Sequence, residues 1–336
     1  MKKININAKS IKEFATNNLI AILLVALCIF VGITEDNFFS WANVANVASN
    51  VTPRFIIALG ISGILITTGT DLSAGRAIGL ASVLSCSLLQ TPGNANNLFP
   101  DLPEFNMWLV LLGVVIITTL FSLLDGIIVS IFHVPPFLAT LGMQTIIYGI
   151  ACVYTGAQPL GGLRSDYTRV TTAPLFKIGT FSFKWLFLFA IGAGLLFWFL
   201  YNKTRYGKYM YAIGGNENAA EVSGVNVNKS KIKIYALAGA MYGLAGFLLA
   251  SKSGGASVNM GLGYETEAIA SCTIGGVSIT GGVGKVSGIL LGVLVFELLK
   301  TSMQFLGINA FYQQIIQGIV IIVAVAFDIR KYIAKK

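Results

Sequence analysis

Long apolar runs, broken by short polar or glycine-rich pieces, dominate the chain. They fall at Phe14 to Thr34 and at about 55–70, 77–90, 107–132, 137–155, 181–201, 233–251, 265–280, 287–304 and 312–328. Several approach the roughly 20 apolar residues that carry an α-helix across a bilayer core. The runs at 55–70 and 77–90 are short and are joined by GTDLSAGR, 69–76; the run 107–132 holds Asp125 and is broken by HVPPF, 133–137. This pattern predicts an all-α polytopic integral membrane protein. It has about ten transmembrane helices, some of them broken, in a single membrane domain over residues 1–336. Residues 69–76 fit either a cytoplasmic turn or a mid-membrane break. The first run follows a basic start but lacks an A-x-A-like cleavage site, so it reads as a span and not a signal peptide.

Composition agrees. Hydrophobic residues make up 55% and charged residues 11% of the chain, against about 25% charged in soluble domains, and the mean hydropathy is +0.77. The net charge of +9 is concentrated in three places. Lys2, Lys3, Lys9 and Lys12 lie at the start, Lys203, Arg205, Lys208, Lys229, Lys231 and Lys233 in the loop 202–233, and Arg330, Lys331, Lys335 and Lys336 at the end. Positive-inside bias puts all three on the cytoplasmic side. An even number of runs precedes and follows the loop, so both termini are expected in the cytoplasm. Arg164, Arg169, Lys177 and Lys184 are exceptions, falling outside. Charge so placed suits anionic lipid headgroups, and no nucleic-acid partner is expected.

Catalytic chemistry finds little material. The cysteines Cys28, Cys86, Cys152 and Cys272 all lie in apolar runs and no C-x-x-C occurs, so they read as small buried hydrophobes. One histidine, His133, gives neither a metal site nor a nucleophilic triad. GGVGK, 281–285, lacks the upstream glycine and the following Ser or Thr of a phosphate-binding loop. No catalytic residue, metal or cofactor is expected on this chain.

The polar piece GGNENAAEVSGVN, 214–226, carries helix signals. Asn216 is a good N-cap, Glu217 puts a carboxylate in the first turn, Ala219 and Ala220 are strong helix formers, and Gly224 suits the position after the last turn. A short helix over 216–223 is expected, too short to span a membrane. A weak internal repeat also shows: G-T-D-L-S-A-G at Gly69–Gly75 and G-V-S-I-T-G-G at Gly276–Gly282. Paired interruptions in two halves of a transporter point to its translocation site.

NAAEVSG, 218–224, resembles the A-A-x-x-x-G core of the loop by which permeases of ATP-binding-cassette importers meet their ATPase. TRYGKYMYAIGGNENAAEVSGVN (204–226), TGTDLSAGR (68–76), VPPFLATLG (134–142) and GGVSITGGVG (275–284) resemble the branched sugar-permease group of that family, in order and over essentially the whole chain. Thr70, Ala74 and Arg76 follow the galactose-type version. Asn218 stands where the loop motif usually has Glu, with Glu217 and Glu221 nearby to substitute, and Asp125 stands where Asn is usual. The resemblance implies a cytoplasmic coupling helix carried by Gly214, Gly215, Asn216, Glu217, Asn218, Ala219, Ala220, Glu221 and Gly224. It implies a homodimer in the cytoplasmic (inner) membrane, a periplasmic sugar-binding protein outside, and ATP-binding cassette subunits inside that hold the ATP and Mg. The other readings open at this point are a proton-coupled secondary transporter, with Asp125 or Glu267 as coupling carboxylate, a passive channel, and ribose, xylose or a nucleoside as cargo.

Ionisable residues in spans usually line a path or pair with one another. Asp71, Ser73, Arg76, Asp125, Glu267, Ser271 and Thr273 are the candidate path residues. Asp71 could instead cap a helix starting near Ser73, and Arg76 could meet Asp71 or lipid headgroups. Asp125 could hydrogen-bond a neighbouring span, and Glu265 and Glu267 could favour a helix N-terminus. Glu297 and Lys300, three apart, could pair. The aromatics of 181–201 read as an interfacial belt.

Overall fold

The computed structural model describes residues 19–93 and 97–333. Lys2, Lys3, Lys9, Lys12, the start of the first run at Phe14, Lys335 and Lys336 lie outside the described residues, as do the side chains of Arg330 and Lys331. The described chain comprises α1 (Leu19–Thr34), α2 (Trp41–Ile66), α3 (Ala74–Leu88), α4 (Met107–Ser130), α5 (Pro136–Thr155), α6 (Ser165–Thr172), β1 (Pro174–Ile178), β2 (Phe181–Lys184), α7 (Leu186–Lys203), α8 (Arg205–Gly215), α9 (Glu217–Val222), α10 (Val227–Ser253), α11 (Tyr264–Ile274), α12 (Val286–Phe305) and α13 (Ala310–Ile333). Six helices, α2, α4, α5, α7, α10 and α12, are long and apolar enough to cross a membrane. The helices α1, α3 and the apolar part of α13 are shorter, and α11 has 11 residues.

Burial sorts these helices into two layers. The most apolar window of α2 is 94% buried and that of α10 is 78% buried, whereas in α4, α5 and α7 the share is 22–28%. A helix apolar on every side belongs inside a large protein or in lipid. Here α2 and α10 form the inner layer, with α10 packed on α2, α3 and α4, and α11 and α12 packed on α2. Leu109, Leu112 and Leu120 of α4 and Leu138 and Val153 of α5 stay exposed, as lipid-facing residues should.

The second helix begins well before the apolar run at 55. Ser40 caps it by accepting the Asn43 N–H at 3.2 Å. Its first turns are polar, yet Asn43, Ser49 and Thr52 are buried against protein, so a window tuned to lipid contact misses them. With 26 residues it is about 39 Å long at 1.5 Å per residue.

After α2 the chain leaves helical geometry over residues 67–73, and α3 begins at Ala74. After α10 it does so again over 254–263, before α11. A long helix, an irregular return and a short helix thus occur once in each half. The second irregular segment packs on the first turn of α3: a Cβ on Gly75 would lie 2.6 Å from the Gly261 carbonyl oxygen, and one on Gly261 2.5 Å from that of Gly75. Only glycine permits that approach. Non-helical backbone at membrane depth is tolerated where protein surrounds it, and Asp71 and Ser73 are wholly buried. The sequence repeat put the second break at Gly276–Gly282; that segment follows α11 and forms a turn with positive φ at Gly276, Gly281 and Gly282.

The all-α expectation needs one correction. β1 and β2 form an antiparallel hairpin around Gly179, so Phe181 and Phe183 precede the helix that the run 181–201 foretold. The alternation F-S-F-K has the period of a strand, and Phe176 stacks on Phe183 at 4.8 Å. The aromatic belt divides as well. Trp185, Trp198 and Phe199 are exposed, whereas Phe187, Phe197 and Tyr201 are buried in the core. All four cysteines are free.

Candidate functional site

The short polar helix forms as its caps dictate. Asn216 Oδ1 accepts the Ala219 N–H at 2.9 Å, Ser223 is the C-cap, and Gly224 follows with φ +85° while its N–H reaches the Glu221 carbonyl at 2.8 Å. Inside, Ala220 packs with Ile213, Val225 and Val227. Outside, Asn218, Ala219, Glu221 and Val222 are exposed. Glu217 is committed to Lys231 at the start of α10, 2.7 Å away. Glu221 is exposed and, among the described residues, has no ion-pair partner.

This helix is joined rigidly to the membrane layer. Gly214, the residue before the elbow, lies against α2: a Cβ there would sit 1.8 Å from the Ile66 carbonyl oxygen and 2.5 Å from the Gly282 nitrogen. The Gly282 N–H donates to the same Ile66 oxygen at 2.9 Å, and the Tyr211 hydroxyl donates to the Gly284 carbonyl at 2.8 Å. Gly215 faces open space. The elbow between α8 and α9 therefore bears on the last residue of α2 and on the turn between α11 and α12. Displacing α9 must move one or both, because close-packed interiors transmit strain.

A second cluster lies where residues 67–73 pass α4 and α10. Asp71 Oδ1 accepts the Ser73 N–H at 2.9 Å and the Ser73 hydroxyl at 2.7 Å, an Asx-type turn leading into α3. Asp71 Oδ2 accepts the Tyr242 hydroxyl at 2.9 Å, and Ser73 Oγ lies 3.1 Å from Asp125 Oδ2. Asp71, Ser73, Asp125 and Tyr242 are fully buried. Arg76 does not pair with Asp71. Its guanidinium donates to Val258 O and Asn259 Oδ1, each at 3.2 Å, and lies over the Tyr148 ring at 4.1 Å.

A third cluster links α2, α11 and α12. Arg54 Nε donates to Glu267 Oε1 at 2.6 Å, and its Nη1 lies 3.1 Å from Glu297 Oε2, within ion-pair distance but without hydrogen-bond geometry. Glu297 therefore faces Arg54, and the pairing with Lys300 that their spacing suggested is not formed. Ser271 joins Arg54, Tyr264 and Glu267 around a cavity of about 10 Å³, room for one water. Thr273 turns back to the Ile269 carbonyl at 2.9 Å. Beyond Asn50, a wider cavity of about 510 Å³ is lined by Asn46, Asn50, Lys184, Lys252, Thr301 and Gln304. That volume lies in the usual range of small-molecule sites. The sequence reading passed over Arg54 because it took the apolar run to start at 55. The correct signal was an arginine inside a buried span.

A family model described as branched-chain amino acid transport system / permease component matches residues 43–325. The chain is 40% identical over 331 residues to a galactose/methyl galactoside import permease protein of Haemophilus influenzae, covering 98% of each chain. It is 40% identical over 334 residues to the Escherichia coli (strain K12) protein of the same description, covering 98% of this chain and 99% of the other. A ribose import permease protein of Haemophilus influenzae is 33% identical over 311 residues, 91% of each chain. No solved structure matches the chain significantly.

Proposed function

The chain belongs to the family of branched-chain amino acid transport system permease components, and from that membership we propose that it is the membrane-spanning subunit of an ATP-driven importer of galactose or methyl galactoside. The observation that carries this reading is identity of 40% along nearly the full length of both chains with proteins of that description. The family description speaks of amino acids and the relatives' descriptions speak of sugars. We follow the relatives, and among them galactose over ribose, because identity is 40% to the galactose/methyl galactoside import permease of Haemophilus influenzae and 33% to the ribose import permease of the same organism. The same similarity to import permeases favours ATP-driven import over proton-coupled secondary transport.

In this reading the ten apolar helices cross the inner membrane, with both termini cytoplasmic and α9 at the cytoplasmic face. Two copies of the chain enclose a central path. A periplasmic binding protein delivers sugar from outside, and cassette subunits inside bind ATP and Mg and hydrolyse the nucleotide. No covalent step belongs to this chain. Cassette closure presses on Asn218, Ala219, Glu221 and Val222. The elbow at Gly214 passes that displacement to the end of α2 and to the turn at 281–284. Tilting α2 moves Arg54, and with it Glu267 and Ser271. These polar groups, below the wider polar cavity, form the inner part of the sugar path. Carboxylate and hydroxyl oxygens exchange hydrogen bonds with sugar hydroxyls, and a conduit needs binding weak enough to release its cargo. The buried residues Asp71, Ser73 and Asp125 hold the 67–73 segment in place.

Uptake of labelled galactose into proteoliposomes holding this chain, a cassette ATPase and a sugar receptor tests the proposal. Uptake is expected to require enclosed ATP and all three components. Uptake without ATP under an imposed proton gradient would contradict it.

A further inference from the structure

The contact between Ser73 and the two aspartates contains a hydrogen count that does not close with both acids ionised. Ser73 Oγ is 2.7 Å from Asp71 Oδ1 and 3.1 Å from Asp125 Oδ2. A hydroxyl has one hydrogen to donate. The shorter contact takes it to Asp71, which also accepts the Ser73 N–H and the Tyr242 hydroxyl, each at 2.9 Å. Three donors converging on one carboxyl suit an ionised, acceptor-only group. The contact from Ser73 Oγ to Asp125 Oδ2 is then left without a hydrogen unless Asp125 supplies one.

The rest of the Asp125 environment agrees. Its other oxygen, Oδ1, is buried and has no hydrogen-bond partner. Among the described residues no cation pairs with either aspartate. The titratable groups that face Asp125 are Asp71 and, on α10, Tyr235 and Tyr242, and none brings positive charge. An ionised Asp125 would thus be a second buried anion beside the first, unpaired and poorly hydrogen-bonded, an arrangement of high cost. A neutral acid needs only one donor contact, and its bare carbonyl oxygen is far cheaper to bury than a bare carboxylate oxygen.

We propose that Asp125 carries a proton and acts as a positioning residue. Its acid group donates to Ser73 Oγ, Ser73 donates to the Asp71 carboxylate, and Tyr242 donates to the same carboxylate. This chain of hydrogen bonds pins the start of α3 between α4 and α10, and so holds Gly75 against Gly261 of the 254–263 segment. The proton is a fixed part of the structure and is not transferred during transport. The proposal stands apart from the identity of the cargo and from the energy source.

Infrared spectroscopy of the assembled transporter in lipid tests it directly. The difference between wild type and Asp125→Asn should contain the carbonyl band of a protonated carboxylic acid at neutral pH. Asp71→Asn should keep that band. Asp125→Asn places an amide N–H donor at the same position and should retain uptake within about twofold, whereas the donor-free Asp125→Leu should lower uptake about tenfold or more. Absence of the band at neutral pH, or its loss in Asp71→Asn, would overturn the proposal. So would equal damage by the Asn and Leu variants, or normal uptake with Leu.

Discussion

Arg54 Nε and Glu267 Oε1, 2.6 Å apart, tie the middle of the most buried helix to the short helix that follows the second break. Both side chains are at most 12% exposed, and Glu297 approaches the same guanidinium at 3.1 Å. Removing the cation would leave two carboxylates facing each other in the core. Arg54→Met should therefore destabilise the protein by about 3–5 kcal/mol, seen as a large fall in the thermal unfolding midpoint in detergent. Glu267→Gln keeps an acceptor for Arg54 and should cost distinctly less. An unchanged midpoint in Arg54→Met would show that the cluster does not hold α2, α11 and α12 together.

Two adjacent alanines of α9 should behave differently. Ala219 is exposed and Ala220 is buried with Ile213 and Val227. Ala219→Glu should leave membrane insertion and thermal stability unchanged while abolishing co-purification with the cassette subunit. Ala220→Glu should unfold the small apolar cluster and lower stability by about 1–3 kcal/mol. Normal cassette binding by Ala219→Glu would move the docking surface elsewhere.

Between α5 and α7, Arg164 ties the first turn of α6 to the loop before α4. Its Nη2 is 2.6 Å from Asp166 Oδ2, and its Nη1 donates to the Phe105 carbonyl at 2.9 Å. Hydrogen bonding from Arg164 holds the Asp166 carboxyl below its usual range. A lowered folded-state value means the contact stabilises the fold above the unfolded value, about 4 for Asp, and is lost as pH falls through the folded one. Amide exchange around 163–169, corrected for intrinsic rates, should speed up as pH falls below the ordinary Asp range in wild type but not in Asp166→Asn. The change should be small, since half-exposed pairs contribute little. Identical exchange in both proteins at every pH would show that the pair has no effect.

Local features were legible in the sequence and long-range ones were not. The caps of α9 follow from Asn216, Ser223 and Gly224 and need no tertiary partner. The ten apolar runs each hold a helix, because burial in protein or lipid demands the same residues. Arg54 was missed because its partners lie in α11 and α12, and because polar but buried Asn43, Ser49 and Thr52 hid the true start of α2. The hairpin was missed because its F-S-F-K alternation adjoins an aromatic helix. Asp125 could be marked as an unpaired acid in an apolar run, yet only the fold brings Ser73 to it. The similar glycine segments 69–75 and 276–282 each follow one helix and lead into the next, but only the fold shows that Gly281 packs on Thr68 and that a further break, 254–263, follows α10.

Transmission through the elbow at Gly214 is the central claim, and one substitution addresses it. A side chain at Gly214 cannot fit without pushing α8 away from the Ile66 carbonyl, 1.8 Å from the Cβ position. ATP-driven galactose uptake and ATP hydrolysis should be measured together for Gly214→Leu, assembled with cassette subunit and receptor in proteoliposomes. The account predicts that cassettes stay bound and ATP is still hydrolysed while uptake falls about tenfold or more. Uptake at the wild-type rate would contradict it.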